Sequence, residues 1–360
     1  MIIRNPSLPA PGALLLCALA LGAARPAPAT TPDLTHAAAA EIHGAGATFP
    51  APVYRAWAAD YARAAGVRVS YDAIGSGAGI ERIRARQGDF GATDAPLAAR
   101  ELAAAGLAQF PAVIGGVVPV INIRGIGPGQ LQLTGAVLAD IYLGHIRRWN
   151  DTRIAALNPG VALPGVNITV VHRNDRSGSS LLWSDYLSRS SADWQRTAGA
   201  STLPSWPTGV GGAGNEGVAS YVERTRFALG YVEYAFARAH HLSDVALVNA
   251  SGQRVRAGRD SFRAAAESMD WTSDLTQQMA TDLPGAGNWP VTGASFILVE
   301  NTPQRAAPVH AVLQFFHWAE QHEAGATATL DYLPLPQAAV AQLPRQWQTL
   351  RDTSGRPLWP

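Results

Sequence analysis

The chain has 360 residues, 47% of them hydrophobic and 15% charged, with 28 basic side chains against 27 acidic ones. That length favours two domains over one, the apolar fraction excludes disorder for most of the chain, and a net charge of +1 excludes a body built to neutralise nucleic-acid phosphates. Every basic residue is arginine and the one cysteine is Cys17, which excludes lysine Schiff-base chemistry, a P-loop lysine, internal disulfides and thiolate metal centres.

The first residues read as an address. Arg4 gives a short positive start, and residues 12–24 (GALLLCALALGAA) form a nearly continuous apolar run. Such a run falls short of the roughly 20 apolar residues a spanning helix needs and suits the core of a secretory signal peptide. The leader is assigned to residues 1–29, with cleavage between 29 and 40: Ala27-Pro28-Ala29 is one small-x-small candidate and Ala38-Ala39-Ala40 another. Leu16 before Cys17 and four apolar residues after it argue against a lipid-anchored cysteine. The reading is an exported, soluble protein.

Beyond the leader, short apolar strands alternate with helical stretches, the pattern of an open α/β sheet. Val67, Val69 and Tyr71 alternate like a half-buried strand, and residues 80–85 read as helix. Residues 113–123 (VIGGVVPVINI) are a long buried run, but the proline inside it argues against an ordinary central strand. Residues 168–171, 229–232 and 296–299 are further strand candidates. Residues 308–320 have helical spacing, with Val312, Leu313, Phe316 and Ala319 on one face.

Four turns before helices share one chemistry. They are GAGATFP (44–50), GSGAG (75–79), TDAP (93–96) and SGSS (177–180). Each puts a hydroxyl or carboxylate beside backbone N–H groups at a positive helix end, where unpaired amides and the helix dipole favour an anion. In an open α/β sheet such turns gather at the carboxyl ends of strands. Ser, Thr and Asp are also the ordinary helix caps, so any one of these turns alone reads as a cap, and the set does not name a ligand.

Other patterns are set aside. GAGNEG (212–217) matches G-x-G-x-x-G, but Trp206-Pro207-Thr208-Gly209 stands before it in place of a buried strand. The nine histidines form no H-E-x-x-H, and no serine sits in a G-x-S-x-G elbow.

Several longer stretches carry a resemblance. GAGATFPAPVY (44–54), GDFGATDAP (88–96), FPAVIGGVVPVIN (110–122), DIYLG with RRWND (140–151), GYVEYA (230–235) and the closing SGRPLW resemble the periplasmic phosphate-binding proteins of the Pst uptake system, in order and over nearly the whole mature chain. The resemblance implies an α/β, type II periplasmic-binding-protein fold, with two α/β domains joined by a hinge and the ligand cleft between them. Domain I would be residues 41–122 with 288–360, and domain II residues 123–287. Residues 113–123 would then be one crossing strand.

Carried over by motif, the family's phosphate contacts fall on Thr48, Phe49 (backbone amide), Ser76, Asp94, Arg173, Ser177, Gly178 and Ser179. Asp175 would support Arg173. Ser179 stands where the family has threonine, and Arg176 where it often has glycine. The implied function is binding of inorganic phosphate in the periplasm and delivery to the membrane permease subunits and ATPase of an ABC importer. The protein would act as a monomer, with no cofactor, no metal, no nucleic acid and no enzymatic step. A binder of another oxyanion, or a secreted phosphatase using the same cleft, are the alternatives.

Overall fold

The structure is a computed structural model that describes residues 41–271, 275, 279–322 and 325–360; the leader, its cleavage window and Cys17 lie outside them. The described chain opens with three strand–helix units. Strand β1 (Ile42–Gly46) lies between two parallel neighbours, β2 (Val69–Ala73) and β3 (Phe90–Thr93). Each strand leads toward a helix: α1 (Ala51–Ala65), α2 (Ser76–Arg84) and α3 (Ala99–Ala105). Helix α1 forms because Val53, Tyr54, Trp57, Ala58 and Tyr61 recur on one face and are buried there. It stops at Gly66, whose left-handed backbone (φ +69°) lets its N–H reach the Ala62 carbonyl.

Strand β4 (Leu107–Ile121) organises the rest. It is a single run of 15 residues, about 50 Å long at the usual rise of an extended chain. From Leu107 to Gly116 it pairs with a strand that returns much later, Val291–Glu300, and from Val117 to Ile121 it pairs with Ala228–Glu233. The order across the sheet is β2, β1, β3, the returning strand, β4, Ala228–Glu233, Thr169–Arg173 and Val210–Gly212. β4 thus belongs to two groups of strands and changes partner between Gly116 and Val117.

The prolines in β4 leave it in the sheet: the run whose proline weighs against an ordinary central strand lies, up to Ile121, in one strand that changes partner part-way. A proline has no N–H to give to a ladder and is tolerated where pairing is irregular. Pro111 faces Phe296 where the register shifts between Ser295 and Phe296. Pro119 faces Tyr231 and still accepts at its carbonyl, from the Val245 N–H at 3.0 Å. Because both faces of β4 are covered, its side chains from Gln109 to Ile121 are all buried, and the strand reads as one apolar run. Among the described residues no helix is long and apolar enough to cross a membrane.

Candidate anion-binding site

The turns singled out from sequence come together where β4 changes partner. Thr48 and Phe49 follow β1, Ser76 begins α2, and Asp94 follows the last residue of β3. Ser177, Gly178 and Ser179 follow the strand Thr169–Arg173 and open the helix Gly178–Ser190. All eight residues are buried, including Arg173 at 1% exposure and Asp94 at 2%. A buried charge is costly unless it is paired, so these two decide what the site can do.

Direct contacts join the two groups. The Gly178 N–H donates to the Ser76 hydroxyl at 3.2 Å, and the Asp94 N–H approaches the same oxygen at 3.4 Å. A Cβ at Gly178 would lie 2.4 Å from the Asp94 Cβ, so only glycine permits this approach. Gly75 has φ +95°, and a Cβ there would lie 2.5 Å from an Asp175 carboxylate oxygen. At the edge of the same contact, the Gly77 N–H donates to the Arg176 carbonyl at 3.1 Å. The Arg176 side chain is exposed and makes no ion pair among the described residues.

The two carboxylates differ. Asp175 receives the Arg173 guanidinium through two N–H groups, Nε at 2.7 Å and Nη2, and accepts the Gly214 N–H at 3.1 Å. Burial pushes the Asp175 carboxyl up, but the Arg173 hydrogen bond and charge and the Gly214 N–H outweigh it and hold it below the ordinary value. Asp94 has no cation clasping it: among the described residues its buried Oδ1 makes no full hydrogen bond, and the nearest help is the Ser295 hydroxyl, which favours the charged form. Burial pushes its carboxyl up to about 7, with the Ser295 hydroxyl and the Arg173 charge opposing. Chemically, the site offers hydroxyls, helix-end amides and one arginine already neutralised by Asp175. It also offers one acceptor oxygen that asks for an O–H.

Two sequence readings need correction, and one cap reading holds. Asp94 does not open α3, because Ala98 precedes its first residue and the Glu101 carboxylate, not Asp94, accepts the Ala98 N–H at 3.1 Å. The Thr93 hydroxyl, not Asp94, engages the following Ala95 N–H at 3.0 Å. Ser177 does cap its helix, accepting the Ser180 N–H at 3.2 Å. The second correction concerns GAGNEG, which opens the helix Gly214–Arg224 behind a short strand, Val210–Gly212.

Asn215 in that motif is fully buried. Its N–H and Nδ2 donate to the Thr48 hydroxyl at 3.2 and 2.9 Å, and Nδ2 also approaches the Ser179 hydroxyl at 3.5 Å. It therefore joins Thr48 to Ser179 across the site. The signal that could have found it is the one used for the other turns, a glycine-rich helix start, had it been read as a fifth member of the set.

The sequence matches the PBP superfamily domain over residues 31–320. It is 46% identical over 320 residues to the phosphate-binding protein PstS of Pasteurella multocida, covering 88% of this chain and 93% of that one. The PstS protein of Haemophilus influenzae is 44% identical over 321 residues, covering 89% and 96%. The chain belongs to the PstS family of phosphate-binding proteins. Among solved structures, a high-affinity periplasmic phosphate-binding protein (PfluDING) with bound phosphate matches with a TM-score of 0.67 at 18% identity, covering 85% of this chain and 93% of that one. At that identity the likeness is one of fold, and the fold is the α/β periplasmic-binding-protein fold expected from sequence.

Proposed function

We propose that this protein binds inorganic phosphate in the site formed by Thr48, Phe49, Ser76, Asp94, Arg173, Ser177, Gly178 and Ser179. It would deliver the ion to the permease and ATPase of an ABC importer, as an exported monomer of the periplasm. The observation that carries the reading is the buried Asp94 Oδ1, which makes no full hydrogen bond among the described residues, on an aspartate whose N–H shares the Ser76 hydroxyl with the Gly178 N–H. A carboxylate repels an anion unless the anion brings a proton. Phosphate keeps at least one O–H near neutral pH, whereas sulfate has none. Asp94 can accept that O–H while the helix-end amides, the hydroxyls and Arg173 donate to the other oxygens. Each buried phosphate oxygen left unpaired would cost about 1–3 kcal/mol, so the donor set has to be nearly complete.

Because Asp175 neutralises Arg173, affinity comes from many hydrogen bonds more than from net charge. No step forms or breaks a covalent bond, so the protein acts by binding and release. Residues 41–122 with 288–360 and residues 123–287 form the two lobes of this proposal, and opening between them would admit and release the ion. The test is calorimetry at about pH 8, where a carboxyl near 7 is ionised, on ligand-stripped protein with phosphate, arsenate and sulfate. Phosphate is expected to bind and sulfate to fail; equal binding of the two, or turnover of a phosphomonoester, would overturn the reading.

A further inference from the structure

Glu233 ends the strand Ala228–Glu233 and pairs with Val117, the first residue of β4 after its change of partner. Its side chain is fully buried. Oε2 accepts the Ala235 N–H at 2.9 Å and lies 2.8 Å from the Tyr332 hydroxyl oxygen. That hydroxyl oxygen is in turn 2.7 Å from the Phe49 carbonyl oxygen. Counting protons decides between the possible arrangements. A phenol carries one hydrogen and a carbonyl can only accept. With Glu233 ionised, the Tyr332 proton serves either the carboxylate or the carbonyl, and two acceptor oxygens are left in contact. With a proton on Oε2, Glu233 donates to Tyr332 and Tyr332 donates to Phe49, so every short contact is a hydrogen bond.

The same residue also reaches the other half of the turn. The Glu233 N–H donates to Asn215 Oδ1 at 2.9 Å, and Asn215 Nδ2 donates to Thr48. Thr48 is held through Asn215, and Phe49 through Tyr332. The whole Thr48–Phe49 turn is thus tied to one position in the sheet, beside the switch in β4.

We propose that Glu233 is a neutral carboxylic acid in the folded protein and acts as a positioning residue for the anion site, donating its proton through Tyr332 to fix the Phe49 carbonyl. The positioning role rests on the phosphate-binding reading; the protonation state does not. Burial supports it by pushing the Glu233 carboxyl well above the ordinary range; the Tyr332 hydroxyl and the Ala235 N–H oppose, and the Asp94 charge adds to the rise. Tyr332 and Asp94 are the titratable groups that act on it, and no arginine or histidine pairs with it among the described residues. A neutral Glu233 also keeps a second carboxylate charge away from a site meant for an anion.

Infrared spectroscopy of the full chain, stripped of ligand, tests the proton directly at about pH 9, far above the ordinary carboxylate range. The carbonyl band of a protonated carboxyl group should be present in the parent, absent in Glu233→Gln and retained in Asp94→Asn. No such band in the parent, or one that survives Glu233→Gln, overturns the proposal. Tyr332→Phe keeps the ring and removes only the hydroxyl. It should shift that band and weaken phosphate binding about tenfold, the scale of one hydrogen bond. An unmoved band with unchanged phosphate affinity would sink the relay. A parent that shows the band but binds no phosphate would instead refute the functional reading and leave the protonated Glu233 standing.

Discussion

Asp94 and Asp175 are two aspartates of the candidate site, and their surroundings make them different groups. Asp175 is clasped by Arg173 and the Gly214 N–H, and its carboxyl stays ionised below the ordinary value. Asp94 is more deeply buried, has one oxygen that makes no full hydrogen bond among the described residues and is pushed up to about 7. The contrast separates two uses of a carboxylate. One is spent inside the protein, orienting an arginine; the other keeps a buried oxygen that the proposal gives to the ligand. Residue type does not distinguish them, and their partners do.

The sharpest way to break the contrast is to remove the charge from Asp94 alone. Asp94→Asn should keep phosphate binding within a modest factor and gain measurable sulfate binding, since a site built around a ligand hydroxyl rejects an analogue without it by roughly 10⁴–10⁵. Competition calorimetry reads this, and sulfate excluded as strongly as in the parent would remove Asp94 as the filter.

The two aspartates should also push stability in opposite directions with pH. A carboxyl raised in the folded state contributes stability that is present below its ordinary value and lost as pH rises through the folded value. For Asp94 that window runs from about 4 to about 7 and is on the order of 2–4 kcal/mol. The melting temperature of ligand-free Asp94→Asn should therefore gain on the parent by several degrees across this window. Parallel curves would contradict a raised Asp94. Asp175, being lowered, contributes stability that is present above its ordinary value and lost on acidification, so its substitution should show the reverse trend.

Breaking the clasp on the other side should act on affinity. Arg173→Ala is expected to weaken phosphate by at least ~1.5 kcal/mol, the scale of a charge-assisted hydrogen bond, and to leave the half-buried Asp175 without its cation. Unchanged affinity would take Arg173 out of the site. The smallest effect should come from Arg176, exposed beside Gly77 and without an ion pair among the described residues. Arg176→Gly should slow phosphate association by a factor of a few at low salt and leave it unchanged at high salt, where surface charges are screened. Stopped-flow rates that differ equally at both salt concentrations would assign the residue a steric role.

Much of this was legible in the sequence because it is local. The turns at Thr48, Ser76 and Ser177 are read from a few adjacent residues, and helix α1 from the spacing of Tyr54, Trp57 and Tyr61. β4 was harder, because a proline weighs against a strand unless the partner's irregular register is known. Asn215 was missed because its motif was weighed only as a dinucleotide turn. Glu233 and Tyr332 carry no local signal: they stand 99 positions apart and meet only in the folded chain. Motif resemblance reached the residues proposed to touch the ligand and Asp175, which holds Arg173; it gave no role to Asn215 or Tyr332, and none to Glu233 although GYVEYA contains it.

The strand Val291–Glu300 lies between β3 and β4 and pairs antiparallel with both. A chain made from its amino end has β1, β2, β3 and β4 long before it has the strand that belongs between the last two. Until then β3 and β4 each present an open edge, the kind of surface that invites wrong pairing. Loop closure over so long a stretch is slow, so this sheet is completed late and from the far end of the chain. A chain laid out this way carries those open edges from residue 121 to residue 291, and a truncation anywhere before residue 291 leaves the sheet without its central strand.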